Sequence, residues 1–191
     1  MDVRSLEAHL DGARETDALE FKGPVEWSAQ LFAKDILALS NVEDGGLLIV
    51  GVEEADDRKF IRRGISEAQK ATFQIDTMRD QIASYADPHV LFSLEFQRDS
   101  TNLEYAVIIV EEFAEVPTIC RRDSNDTNIG YIYFRSRAGR AASARVSNVN
   151  DMRSILDRAA AKLMKRLQRL GLTAAEKPST SGRLEAELEG L

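Results

Sequence analysis

The strongest constraint on the fold is GLLIVGV at residues 46–52, a short and wholly apolar run bounded by glycines. It is too short for a typical helix and contains β-branched residues, so it predicts a strand buried on both faces. A second apolar run, AVIIV, lies within residues 104–111 and predicts the strand that pairs with it. We therefore expect a buried sheet built around these two strands.

The remaining patterns predict helices on a mixed sheet. Apolar residues recur at helical spacing up to about Gly12 and over about 28–40, 66–85 and 150–170. Further strands are predicted at about 19–22 and 90–97, and at 117–121 and 129–135, which we expect to form a hairpin around the turn RDSNDTN. This order predicts an α+β fold, a mixed β-sheet packed with helices, plus a C-terminal amphipathic helix.

The chain divides into one domain, one helix and a tail. We expect the domain over residues 1–148, the amphipathic helix over 149–171, and a flexible tail over 172–191, where the sequence is small, polar and poorly patterned. The helix has an apolar stripe and an Arg- and Lys-rich face. It either docks on its own domain or pairs with a second subunit.

Several classes of protein are excluded by composition. No window approaches the roughly 18 apolar residues that a membrane span needs, and MDVRSLEAHL lacks the order of a secretory signal, so we expect a cytoplasmic protein without a membrane partner. One cysteine, Cys120, and two histidines are too few for a closed four-ligand zinc site.

Charge is distributed unevenly along the sequence. The net charge is −7, but residues 1–120 carry 11 Lys and Arg against 24 Asp and Glu, whereas residues 121–169 carry 12 against 4. A polyanion responds to local potential more than to total charge, so the basic part can hold phosphates. The alternative is that these charges are solvated faces without a partner.

Glu15, Glu20 and Lys22 form the pattern E-x-x-x-x-E-x-K at the predicted strand LEFK. Phosphodiester cleavage uses hard oxygen ligands to hold Mg²⁺ or Mn²⁺ and a fixed ammonium to stabilise the transition state. Glu53 or Glu54, just past the GLLIVGV strand, supplies a third carboxylate if that strand lies beside LEFK. By itself the motif is better explained by a surface ion pair between Glu20 and Lys22.

Residues 12–140 resemble the Schlafen AlbA-like domain. The resemblance is carried by the order of ETDALEFK, a helix ending in LALSN, GGLLIVGV, an acidic turn, EYAVIIV and YIYFRSRAG. In the Schlafen nucleases this domain cuts tRNA and other structured RNA with three acids. The resemblance implies that Glu15, Glu20 and Glu53 or Glu54 hold Mg²⁺ or Mn²⁺, and that the fold is Schlafen AlbA-like.

The sequence departs from that family at three points. Glutamate stands at the third acidic position, where the nucleases use aspartate; the turn 41–46 is one residue longer than N-x-x-G-G; and the Schlafen zinc site is absent. Some family members are described as binding ATP. We expect no ATP here, because there is no G-x-x-x-x-G-K-[S/T] motif and the glycines at 45, 46 and 51 flank a strand.

A group of arginines is predicted to contact nucleic acid. Its members lie in or beside the two short strands at 117–121 and 129–135: Arg121, Arg122, Arg135, Arg137 and Arg140. Guanidinium groups bind phosphates, and an interleaved tyrosine can stack on an unpaired base. Tyr131 and Tyr133 are better explained as core residues.

Two hypotheses follow, and both use the arginines. In the first, Glu15, Glu20 and Glu53 hold Mg²⁺ or Mn²⁺ and Lys22 stabilises the transition state of a metal-dependent endoribonuclease, with RNA favoured over DNA. In the second, the chain is a non-catalytic DNA- or RNA-binding module in transcriptional regulation or phage defence. We also expect a homodimer, because the eukaryotic Schlafen nucleases resemble two such lobes joined together.

Overall fold

The computed structural model describes residues 3–11, 15–55, 59–136 and 142–172. The elements are, in chain order, α1 (Val3–Leu10), β1 (Leu19–Lys22), α2 (Ala29–Ser40), β2 (Gly46–Val50), β3 (Val52–Glu54), β4 (Phe60–Arg62), α3 (Glu67–Thr72), α4 (Ile75–Ala83), β5 (Ala86–Asp87), β6 (Phe92–Arg98), β7 (Glu104–Val110), β8 (Ile119–Cys120), β9 (Tyr133–Arg135), β10 (Ser143–Arg145) and α5 (Val149–Arg169). No helix in these ranges is both long enough and apolar enough to cross a membrane.

The central sheet has four strands in the order β1-β2-β7-β6. β1 runs parallel to β2, and the other two pairs are antiparallel, so the sheet is mixed. Leu48 of β2 is aligned with Glu20 of β1 on one side and with Ile108 of β7 on the other. The predicted pairing of GLLIVGV with AVIIV is therefore confirmed, the strand also lies beside LEFK, and the α+β class is confirmed.

Alternate residues of the two central strands fill two separate cores. On β2, Leu48 and Val50 belong to a core shared with α2 and α4, while Ile49 belongs to a core shared with α1. β7 alternates in the same way, with Ile108 in the first core and Val107 in the second. Since side chains alternate across a strand, helices must cover both faces of the sheet to keep these apolar residues from water.

GLLIVGV is not one strand, because the chain turns at Gly51. This glycine has φ +114°, a conformation that L side chains rarely adopt. A Cβ atom here would lie 2.9 Å from the Tyr105 ring and 3.0 Å from the Gly64 backbone. The chain therefore leaves the sheet after Val50 and continues as β3, which pairs with β4.

The single helix predicted at 66–85 is divided into α3 and α4. Ser66 and Gln69 form a capping box at the start of α3, which stabilises its first turn. The break occurs at Phe73, which is buried with its ring 6.0 Å from those of Phe32 and Trp27. Burial of this aromatic ring against α2 outweighs continuation of the helix.

The predicted hairpin of 117–121 with 129–135 is replaced by two different strand pairs. β8 pairs with β5, and β9 pairs with β10. Cys120 still exchanges two backbone hydrogen bonds with residues 130 and 131, which keeps the two segments adjacent. The polar turn between them is therefore closed, but no ladder joins β8 to β9.

Asn41 joins α2 to the strands that follow much later in the sequence. Its buried side chain donates to the carbonyls of Leu37, Thr118 and Tyr133, and accepts from the backbone amide of Thr118. Its own carbonyl accepts from Arg158 of α5. The side-chain amide of Asn41 thus both donates and accepts hydrogen bonds. Together with its backbone carbonyl, it holds β8, β9 and α5 at the end of α2.

α5 docks on its own domain along one side. Ile155 is fully buried in a small core with Val42, Phe113 and Phe134. Arg158 and Lys162 lie 2.7 Å and 3.0 Å from the carboxylate oxygens of Glu112. Docking on the same chain is thus observed, although much of the apolar surface of α5 remains exposed.

Candidate functional site

Glu20 and Lys22 lie on the same face of β1, as the alternation of LEFK predicts. Leu19 and Phe21 point into the core beneath α1, so Glu20 and Lys22 point to the opposite face, which α2 covers. Lys22 Nζ lies 3.4 Å from Glu20 Oε1. Glu20 is buried and Lys22 is partly buried, so the pair is not the exposed ion pair of the simpler interpretation.

The sequence interpretation missed Asp35, a carboxylate of α2 that joins this pair. Its Oδ2 atom lies 2.7 Å from Lys22 Nζ, and the residue is buried. A signal for it was present in the sequence. Asp35 follows Phe32 by three residues and precedes Leu39 by four, so it lies on the apolar stripe of α2, where a charge requires a partner.

Arg135 completes the group from the opposite side. Its guanidinium binds the Glu20 carboxylate, donates to the carbonyls of Thr16 and Leu19, and lies 3.2 Å from Ser143 Oγ. We call the two carboxylates and two cations Glu20, Lys22, Asp35 and Arg135 the charge cluster. Arg135 has no exposed surface, which differs from the phosphate-binding position expected for it.

The electrostatics of the charge cluster favour a protonatable Glu20. Burial and the negative charge of Asp35 raise the pKa of Glu20 to about 7, from an ordinary 4.5, and the cation of Arg135 opposes this rise without cancelling it. Burial also disfavours the charged form of Lys22, but the attraction of Asp35 and Glu20 is stronger, so the pKa of Lys22 is raised.

The three glutamates expected to hold a metal ion, Glu15, Glu20 and Glu53, lie in three different environments. Glu15 is near the charge cluster: its Oε1 accepts from the backbone amide of Phe21 at 3.4 Å, and its charge contributes to the raised pKa of Glu20. Glu53 is on β3, half exposed, with Oε2 2.8 Å from Nε of Arg63. Glu54 is exposed on the same strand.

These carboxylates do not fit a preformed metal site. No group of three His, Cys, Asp or Glu side chains within the described ranges is placed to hold a metal ion. Both oxygens of Glu20 already face cations, one from Arg135 and one from Lys22. The two cations of the charge cluster already neutralise its carboxylates. A divalent ion would therefore have to displace these cations before it could bind.

Two of the remaining predicted arginines lie exposed beside β8. Arg121 and Arg122 directly follow Cys120, and the Arg122 guanidinium lies 5.0 Å from the Tyr85 ring centre with a hydrogen bond to Ser84 Oγ. Arg137 and Arg140 lie outside the described residues. That Arg137 and Arg140 contact phosphates therefore stays a prediction.

A third exposed arginine, Arg145 of β10, was not predicted. Its guanidinium lies 5.6 Å from the ring centre of Tyr131, whose carbonyl accepts from the Cys120 amide. We call Arg121, Arg122 and Arg145 the arginine patch. Tyr133 is buried and its hydroxyl accepts from the Asn128 amide, as expected of a core residue, whereas Tyr131 is 40% exposed, so its assignment to the core was wrong.

Other basic residues of 121–169 are neutralised inside the molecule. Arg158 and Lys162 pair with Glu112, Arg166 pairs with Glu115, and Arg135 pairs with Glu20. The charge imbalance along the sequence thus serves in part to attach the C-terminal third to the acidic first part. Only a subset of the cations remains for an outside partner.

Comparison with known proteins identifies the fold and the family. The similar solved structures include the DIP2311 protein from Corynebacterium diphtheriae (18% identity, TM-score 0.51, 80% of this chain and 27% of that one). They also include the N-terminal domain of a RecG-related protein, named after an ATP-dependent DNA helicase, from Nitrosomonas europaea (16% identity, TM-score 0.50, 78% of this chain and 94% of that one). This chain therefore matches about a quarter of the length of the first.

No curated protein matches the chain significantly. The two structural neighbours, at these identities, establish similarity of fold alone. The family model described as Schlafen, AlbA_2 matches residues 15–142, which is more than half of the chain. The chain therefore belongs to the Schlafen AlbA_2 family.

Proposed function

We propose that this chain is a nucleic-acid-binding module whose arginine patch contacts the phosphate backbone. The observation that carries the proposal is the exposure of Arg121, Arg122 and Arg145, for which no carboxylate partner is found within the described ranges. Membership of the Schlafen AlbA_2 family supports the proposal, as does the similarity to a domain of a RecG-related protein.

Aromatic rings hold two of these guanidiniums at the surface. Arg122 stacks on Tyr85, and Arg145 stacks on Tyr131. A stacked guanidinium keeps its N–H groups directed outward and loses less conformational entropy when it binds a phosphate oxygen. Tyr131 is itself partly exposed, so an unpaired base can stack on its ring.

The test compares two double variants that remove the same charge. Binding of single-stranded RNA, tRNA and duplex DNA is measured by fluorescence anisotropy for the wild type, for R121A/R122A, and for R63A/R98A. Arg63 and Arg98 are also exposed but lie outside the patch. We expect R121A/R122A to weaken binding by roughly tenfold or more and the control to change it little.

Thermal unfolding of both variants establishes that the fold is kept, since Arg122 also contacts Ser84 and Tyr85. Equal losses in the two double variants would mean that binding follows total charge and not the patch. No binding of any of the three nucleic acids by the wild type would end the proposal.

A second candidate function is endoribonuclease activity on tRNA or other structured RNA. It is favoured by Glu20 and Lys22, which lie 3.4 Å apart, and by Glu15 close by. The same cluster does not fit a divalent ion in its present form, so we assign no metal-dependent step to it. Lys22 is nevertheless partly exposed, so its ammonium can face a phosphate that approaches this side of β1.

Cleavage is tested separately from binding. Labelled tRNA and single-stranded RNA are incubated with the wild type and with Glu20→Gln, in Mn²⁺, in Mg²⁺ and with a chelator. The nuclease hypothesis expects products that disappear in Glu20→Gln while RNA binding is unchanged. Absence of products in every condition, with binding retained, leaves the binding module as the function.

A further inference from the structure

Large apolar side chains are exposed along α5 at a regular interval. Val149, Leu156, Leu163 and Leu170 recur every seven residues, and they are 71%, 54%, 50% and 58% exposed. Seven residues correspond to two helical turns, so the four side chains form one continuous line along the helix. This line is not the docked side of α5, on which Ile155 is fully buried.

The positions between these residues complete a heptad pattern. Ala160 and Leu167 follow Leu156 and Leu163 by four residues each, which gives the alternating spacing of four and three that a two-helix seam uses, and the equivalent position after Val149 is the exposed Arg153. Ala160 is exposed and Leu167 is half-buried. We call Val149, Leu156, Ala160, Leu163, Leu167 and Leu170 the α5 seam.

We propose that the α5 seam pairs with the α5 seam of a second copy of this chain, in antiparallel orientation. A second α5 has the same 21-residue length, about 31 Å at 1.5 Å per residue, and in the register that sets Ala160 opposite Leu163 it covers the seam from Leu156 to Leu170. A shorter segment would leave part of it exposed to water. Burial of these large aliphatic side chains supplies the driving force.

Charge along the helix favours the antiparallel orientation. Apart from the side chains that already bind within the chain, the second half of α5 carries Lys165 and Arg169 without an acid, while the first half balances Asp157 against Arg153. Parallel pairing would set the cationic halves side by side. Antiparallel pairing places each cationic half beside a neutral half and allows Ala160 to face Leu163 of the partner subunit.

The first test places charge in the seam. Sedimentation equilibrium from about 1 to about 100 µM is compared for the wild type, for L156R/L163R, and for A161R/Q168R. The control adds the same two arginines to exposed positions of the same helix, away from the seam. We expect the wild type and the control to be dimers, and L156R/L163R to raise the dissociation constant by about a hundredfold.

Far-UV circular dichroism checks that each variant keeps its helix content, which we expect because the substituted side chains are exposed. A wild type that is monomeric at the highest concentration overturns the proposal, and so does an L156R/L163R variant that dimerises as well as the control. A seam covered by another part of the same chain would give that monomer.

The second test measures orientation by cross-linking. Oxidation of an equal mixture of Arg153→Cys and Leu170→Cys chains is expected to give the mixed disulfide dimer, because the two positions face each other in the antiparallel register. The native Cys120 is buried and does not compete. A dimer formed by Leu170→Cys alone would instead indicate parallel helices and overturn the proposed orientation.

Discussion

Glu20 belongs to the buried charge cluster that the fold depends on, and it is also a candidate catalytic residue. Its carboxylate binds a fully buried arginine on one side and Lys22 on the other, and all three depend on Asp35 for overall neutrality. Removal of Arg135 or Lys22 would leave a buried carboxylate unpaired, which costs about 3–5 kcal/mol. An active-site role for Glu20 therefore has to be tested with a substitution that keeps its shape.

The raised pKa of Glu20 predicts a specific pH dependence of stability. The pKa is about 7 in the folded protein and near 4.5 when the chain unfolds, so folding favours the protonated form. The stabilisation is complete below about pH 4.5 and is lost as the pH rises to about 7, by about 3 kcal/mol. Glu20→Gln imitates the protonated form and should not show this loss.

Urea unfolding of both proteins between pH 4.5 and pH 8 measures the difference. Titration of all other groups cancels in the comparison. Glu20→Gln is expected to gain stability relative to the wild type as the pH rises. A relative loss would show that the contact with Arg135 keeps Glu20 ionised throughout.

Arg135 shows where prediction from sequence ends at this scale. Alternation in YIYFR placed it on a surface strand, yet Tyr133, Phe134 and Arg135 are all buried, because β9 is covered on both sides. The carboxylate that neutralises it is 115 residues away in the sequence. Local periodicity contains no information about a partner at that distance, whereas Asp35 could have been found from its place on an apolar stripe.

At the scale of elements, one arginine helps to attach α1 to the β3–β4 pair. Arg62 of β4 lies 2.8 Å from Glu7, 2.7 Å from Asp11 and 3.6 Å from Asp99. These contacts supplement the burial of Leu6 and Leu10 in the core between α1 and the central sheet. A helix of eight residues is too short to be stable alone, so its order depends on this attachment.

Arg62→Met should loosen α1 more than it destabilises the whole protein. Methionine keeps the aliphatic stem but removes both ion pairs to α1, for an expected loss of about 1–2 kcal/mol. Hydrogen exchange of peptides covering 6–11 should become faster, while β2 and β7 remain protected. The neighbouring Arg63→Met, which loses only the exposed pair with Glu53, serves as the control and should leave that exchange unchanged.

Elements with one strong periodic signal were predicted well, and elements that depend on distant packing were not. GLLIVGV and AVIIV identified the two central strands, because a run of consecutive apolar residues predicts burial on both faces. The division of the 66–85 helix at Phe73 depends on an aromatic cluster with Phe32 and Trp27. The exchange of strand partners around Cys120 likewise depends on β5, which is more than thirty residues earlier.

For the whole molecule, the uneven distribution of charge has two uses. Arg158, Lys162 and Arg166 are held by Glu112 and Glu115, so they attach α5 to the domain. The arginine patch remains outside these pairs. Composition alone therefore overestimates the basic surface that a polyanion can reach, because it counts both kinds of cation equally.

The salt dependence of nucleic-acid binding distinguishes the two kinds of cation. Each cation that contacts a phosphate contributes about 0.7 to 0.9 to the slope of log K against log salt concentration. R121A/R122A should therefore reduce the slope by about 1.5, whereas Arg158→Met should leave the slope unchanged and lower the melting temperature. The reason is that Arg158 is largely buried, and its Nε, Nη1 and Nη2 atoms already donate to the Ser154 carbonyl, Glu112 and the Asn41 carbonyl. Anisotropy titrations at several salt concentrations measure both slopes. A reduced slope in Arg158→Met would show that nucleic acid competes with Glu112 for this arginine, and that α5 belongs to the binding surface.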